Sequence, residues 1–147
     1  MNTQNGHTAV ANPFAHLIED GERIIAQLEA KSEDLVNAID KETAIATALT
    51  EAKRHLDLAE SEVVMEASFD KENPFAKIAK TSKEYGYAVD NLLGNHPAVV
   101  AVRQSVRQLE VEAANAKAER EMADTRWSAV RHVAMLKTAI INATVGR

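Results

Sequence analysis

The 147-residue chain contains no cysteine, and only six aromatic side chains: three Phe, two Tyr and one Trp. The first absence excludes disulfides, thiolate nucleophiles and Cys-ligated metals, and it fits a reducing compartment. The second excludes a core built from large rings. Alanine, leucine and β-branched side chains must do the packing, which favours close helix–helix contact. The five glycines are scattered, so no Gly-rich phosphate loop is present. No run approaches the roughly 20 apolar residues of a membrane span. Met1 to Asn12 is polar, with neither a basic start nor an apolar stretch, so no signal peptide is visible. These absences lead to the expectation of a cytoplasmic protein with no membrane partner.

Constellations for catalysis are missing as well. His7, His16, His55, His96 and His132 share no metal-ligand spacing with one another. The nearest approach to a site is His16 with Glu19 and Asp20, neighbours on a helix, and a solvated surface is the simpler account of them. Glu60 with Glu62, and Glu119 with Glu121, fall on different sides of a helix and look like solvating charges, not an acid–base pair. The expectation is a non-enzyme with no catalytic residue, no metal and no cofactor.

What the chain does have is helical spacing. Leu35, Ala38, Glu42, Ile45, Leu49, Ala52, Leu56, Ala59 and Val63 follow steps of three and four. Backwards, the row continues through Lys31, Leu28, Ile24, Gly21, Leu17 and Phe14. Such steps keep residues on one narrow side of an α-helix, the seam of a coiled coil. A second seam runs through Val99, Val102, Val106, Leu109, Ala113, Ala116, Arg120, Ala123, Trp127 and Val130, after which the apolar row is expected to shift to Val133, Leu136 and Ile140.

Punctuation divides the chain. Residues 1–12 read as a disordered tail, and Asn12-Pro13 opens a helix with Asn as cap and Pro at the first position. The spacing predicts a long helix over 13–68, a connector over 69–97 and a second long helix over 98–143, all within one helical domain. The breaks are Asp70-Lys71-Glu72-Asn73-Pro74 and Gly94-Asn95-His96-Pro97. The expected fold is all-α: a long antiparallel, coiled-coil-like hairpin with a short helical connector at its tip. Ile25, Val36, Ile39, Leu58, Val64 and Val111 widen the apolar face beyond what two helices bury, pointing to a homo-oligomer, a bundle or a ring. A bent monomeric bundle, broken at Gly21 or near Glu42, is the other arrangement.

Net charge is −5, divided into −8 over residues 1–100 and +3 over 101–147. Attraction between antiparallel arms accounts for the asymmetry, and one exposed basic end is the alternative. The connector departs from this balance. No acid lies between Pro74 and Ser82, and Lys77, Lys80 and Lys83 repeat every third residue, as along one side of a helix. Phe75 precedes them, and Tyr85 and Tyr87 follow. Ammonium groups beside aromatic rings suit single-stranded nucleic acid, neutralising phosphates while rings stack on splayed bases. The simpler account of the same residues is structural, with Phe75, Ile78, Tyr85 and Val89 packing the tip while the lysines are solvated, because three lysines alone are a weak signal.

Two stretches carry a resemblance. Lys80-Thr-Ser82-Lys-Glu84, leading through Ala88-Val89-Asp90 to Leu92-Leu93, is one. Thr125-Arg126-Trp127-Ser128-Ala129-Val130-Arg131-His132, continuing into Met135-Leu136-Lys137, is the other. From about Lys53 onward the chain resembles the recombination mediator proteins of tailed phages, the UvsY type. That resemblance implies an oligomeric accessory factor that binds single-stranded DNA and helps load a RecA-like recombinase onto strands covered by single-strand-binding protein. It carries DNA contact to Lys77, Lys80 and Lys83, with Tyr85 and Tyr87 beside them. It gives the terminal helix to self-assembly, with Trp127, Val130 and Leu136 as packing residues; Leu49, Leu56 and Val63 are packing positions expected from the first seam's spacing. The chain departs from the family where it has Glu62 and Glu66 at the end of the first long helix. A scaffold, chaperone or coiled-coil adaptor without a nucleic-acid role is the competing expectation.

Overall fold

A computed structural model describes residues 15–145 of the chain. The tail over 1–12, the Asn12-Pro13 start, Phe14 and His7 lie outside the described residues. All regular structure within them is helical: α1 spans Ala15–Phe69, a 3-10 turn Pro74–Lys77, α2 Lys83–Asn95 and α3 Pro97–Val145. α1 runs through Gly21 and Glu42 without a break. None of these helices is long and apolar enough to cross a membrane.

The helix ends follow from local chemistry. After Phe69, the Asp70 carboxylate accepts from the Glu72 amide at 3.0 Å, an Asx turn that competes with another helical turn. Asn73 then caps the 3-10 turn, its side chain accepting from the Phe75 amide, with Pro74 at the first position. His96 is extended, as steric conflict with the following ring requires, and Pro97 opens α3.

Each seam position of α1 from Leu17 to Val63 is half-buried or buried, and nearly all residues between them are exposed. The described residues divide into two compact units, 38–120 and 15–37 with 121–145. In the first, Val63, Leu93 and Val99 form a core, with Leu56, Val64, Val89 and Leu92 packed against it. Val99 is fully enclosed, and Val106 and Ala116 are buried further along α3. Four ion pairs join α1 to α3 in this unit: Glu60–Arg103 at 2.8 Å, Lys53–Glu110 at 3.0 Å, Glu42–Arg120 at 2.6 Å and Lys41–Glu119 at 2.5 Å. The α3 partners move from Arg103 through Glu110 to the adjacent Glu119 and Arg120 as the α1 partners move from Glu60 through Lys53 to the adjacent Glu42 and Lys41. Glu42 and Arg120, the charged members of the two seams within residues 38–120, neutralise each other.

In the other unit, Leu17, Gly21, Ile24, Leu28 and Leu35 of α1 are half-buried, as are Trp127, Val130, Ala134 and Lys137 of α3, while Ala123 is buried. Lys137 reaches Asp20 at 3.3 Å. The Arg131 guanidinium lies 5.3 Å from the Trp127 ring centroid, at cation–π range. Here the expected drift of the α3 row is corrected. The covered row keeps its three–four steps through Ala134 and Lys137, whereas Val133, Leu136 and Ile140 are exposed. The Lys137 stem covers apolar surface while its ammonium reaches the Asp20 carboxylate, so a lysine holds the inward position.

Candidate nucleic-acid interface at the connector

The connector between α1 and α2 is held by one buried ring. Phe75 is 6% exposed, and its ring centroid lies 5.2 Å from that of Tyr85 in a tilted arrangement. Ile78 and Val89 are half-buried nearby in sequence. Between the 3-10 turn and α2, Ile78 is extended. The Ser82 hydroxyl donates to the Ala79 carbonyl at 2.8 Å, and its backbone is extended at the start of α2.

This geometry corrects the lysine stripe. Lys77 closes the 3-10 turn, Lys80 sits in a turn and Lys83 is the first residue of α2. The three do not share one helix face, because burial of Phe75 and the extended residues Ile78 and Ser82 interrupt the helix that an every-third spacing suggests. All three ammonium groups are nonetheless exposed and fall within seven residues of chain. Tyr85 is half-buried against Phe75 and is not free to stack on a base. Tyr87 is 77% exposed and is free.

These lysines form a local unpaired cluster; Arg107, Lys117, Arg126 and Arg131, spread along α3, are likewise exposed and without an ion pair among the described residues. Among the described residues, Lys71, Lys77, Lys80 and Lys83 have no carboxylate within ion-pair distance, whereas Lys41, Lys53, Arg103, Arg120 and Lys137 each bridge to the facing helix. An open cavity of about 750 Å³ lies beside them, lined by Val64, Met65, Phe69, Phe75, Tyr85 and Lys80 among others. Phe69 is 78% exposed and Met65 more than half exposed. Neither was singled out by sequence, although Phe69 is one of six aromatics and directly precedes the break after α1. Asp57 and Glu60 line the same cavity, and Glu62 and Glu66 are exposed on the adjoining turns of α1. A smaller cavity of about 260 Å³ is lined by Glu66, Asp70, Asn73 and His96, whose buried Nδ1 has no hydrogen-bond partner.

The remaining expected packing residues separate by position. Leu49 and Leu56 are half-buried and Val63 is buried in the unit of residues 38–120; Trp127 and Val130 are half-buried in the other unit, where Leu136 is 65% exposed. Among the described residues no group of three His, Asp or Glu could hold a metal ion. Asp20, of the His16–Glu19–Asp20 group, instead serves Lys137 and Arg23. Comparison with protein-family models, curated proteins and solved structures gave no match.

Proposed function

We propose that this chain is a non-enzymatic, single-stranded-DNA-binding accessory protein of recombination, a mediator that assists loading of a RecA-like recombinase onto strands covered by single-strand-binding protein. It is a long antiparallel helical hairpin that self-assembles and presents its connector to the strand. The observation that carries the DNA contact is a local cluster: Lys77, Lys80 and Lys83 are exposed, unpaired among the described residues and within seven residues of chain, whereas the other unpaired cations Arg107, Lys117, Arg126 and Arg131 are spread along α3. A cation without a protein partner is free to displace the counterions of a phosphate. Tyr87 and Phe69 supply accessible rings on either side in sequence. The resemblance of Lys80–Leu93 and Thr125–Lys137 to phage mediators supplies the biological setting.

A structural or assembly role, with no nucleic acid, is supported by a different observation: Tyr85 turns inward against Phe75, and exposed Glu62 and Glu66 border the connector. Anisotropy of a labelled oligonucleotide across salt separates the two. The DNA-binding chain binds at low salt and releases the strand as salt rises. Lys77→Glu, Lys80→Glu and Lys83→Glu together abolish binding with helicity unchanged. A triple variant that binds like the parent removes the connector from the interface, and no binding by the parent at low salt leaves the assembly role.

A further inference from the structure

Each helix of the unit containing residues 15–37 and 121–145 carries two rows at three–four steps, and only one row on each is covered. On α3 the covered row is Ala123, Trp127, Val130, Ala134 and Lys137. One residue earlier at every step runs Met122, Arg126, Ala129, Val133 and Leu136, continuing to Ile140, all exposed. Its four large apolar members are 48% to 65% exposed. On α1 the covered row is Leu17, Gly21, Ile24, Leu28, Lys31 and Leu35. One residue later at every step runs Ile18, Glu22, Ile25, Glu29, Ser32 and Val36, again all exposed. One residue turns an α-helix by roughly 100°, so each open row lies beside its covered one.

We propose that copies of this chain join by laying the open α3 row of one copy against the open α1 row of the next. The inference rests on the self-assembly in the proposed function and names its surface. A sustained three–four repeat fits another helix rather than a compact domain. The two rows match in length, each spanning six positions. Their charges are complementary: the α1 row interposes Glu22 and Glu29, while the α3 row interposes Arg126 and no acid. Arg126 has no ion pair among the described residues. Pairing α3 rows with each other would set guanidinium groups against apolar side chains, and pairing α1 rows would crowd carboxylates. In an antiparallel pair, one residue later on one helix and one residue earlier on the other turn to opposite sides. The α1 residues Glu29, Ser32 and Val36 accordingly share a groove with Trp127 and Arg131 rather than with the open α3 row. At the end of the row Ile140 lines a cavity that Ile25 also lines, so Val133 and Leu136 are the positions to test. A contact between unlike faces is heterologous, and it closes as a ring or continues as a filament.

Sedimentation velocity on the full chain tests the surface, with circular dichroism on the same samples. The parent sediments as a species larger than a dimer. Leu136→Asp, and separately Val133→Asp, sediment as monomers of unchanged helicity. Arg126→Glu raises the concentration needed for assembly at least tenfold, and adding Glu22→Arg with Glu29→Arg to it restores assembly. A helical Leu136→Asp chain that keeps the parent mass overturns the surface, as does a triple charge exchange that assembles no better than Arg126→Glu. A parent that is monomeric at every concentration overturns the inference and the self-assembly together, while strand binding at low salt, read on the same sample, reports separately on the connector.

Discussion

Glu42 and Arg120 are the residues whose presence in a hydrophobic seam most needs a cause. Their side chains are 29% and 35% exposed and meet at 2.6 Å. A half-buried pair of this kind costs desolvation that attraction roughly repays, so its value is in selecting one alignment of the seams. Arg120→Leu alone leaves a carboxylate facing apolar surface and should lower stability by about 1 kcal/mol, between the values for exposed and buried pairs. Glu42→Leu combined with Arg120→Leu should recover that loss or exceed it, as a double-mutant cycle by urea unfolding will read. A combined variant less stable than either single one contradicts the assignment. Asp20 offers a pH test. The Lys137 hydrogen bond, then the charges of Lys137, Arg23 and His16, hold its carboxyl below the ordinary value of 3.8. A lowered native pKa contributes stability that is complete above the ordinary range and is lost as pH falls through the native value. Lys137→Met should therefore move the Asp20 carboxyl titration, followed by NMR, upward toward 3.8. An unmoved titration would show that Lys137 does not set it and that Arg23 and His16 do.

Among the elements, glycine within a helix gives the sharpest expectation. Gly21 lies inside α1 and Gly86 inside the 13-residue α2, and a Cβ at either position meets nothing within 4 Å. Both have helical backbones available to any L residue, with no positive φ. Gly21→Ala and Gly86→Ala should each raise stability by about 1 kcal/mol, by removing unfolded-chain freedom without a clash. A fall in melting temperature for either would reveal a close approach to that backbone. The connector gives the opposite sign: Phe75→Ala removes its single buried ring and should cost about 3 kcal/mol locally. Hydrogen exchange would then rise over residues 74–82 while α1 and α3 keep their protection. What was legible in the sequence follows the same division. Helical class and the covered α1 row were readable because three–four spacing repeats over many turns and needs no tertiary knowledge. The connector was not, since every-third lysines are compatible with a helix and only the burial of Phe75 and the extended Ile78 and Ser82 end it. Near the C-terminus the reading followed hydrophobicity to Val133, Leu136 and Ile140, although the inward position belongs to Lys137, whose stem is apolar and whose charge has Asp20. Exposure of Phe69 leaves no trace in periodicity, whereas the inward turn of Tyr85 against Phe75 is the packing alternative that the sequence offers beside base stacking.

For the whole molecule, a net charge of −5 opposes the approach of DNA, and only a local patch can attract it. At physiological salt screening acts over about 8 Å, so a strand held at the connector as proposed would feel its lysines together with the acids that share their cavity, Asp57 and Glu60, while the more distant acids of α1 are largely screened. Below roughly 0.01 M salt the screening length grows to about 30 Å and the overall negative charge is felt as well. Affinity should therefore rise linearly in log salt as salt is lowered, then flatten. In the linear range three phosphate contacts at roughly 0.7 counterions each give a slope near −2 for a single connector. The parent on an oligonucleotide too short to reach two connectors should show that slope, and so should Leu136→Asp on a strand of any length. On a long strand the parent assembly should be steeper and tighter, because further connectors bind the same strand at high effective concentration. Anisotropy titrations with short and long oligonucleotides, parent beside Leu136→Asp, measure all four slopes. Equal slopes for the parent on both lengths would mean that each copy holds DNA alone, and that assembly serves some purpose other than gathering connectors along a strand.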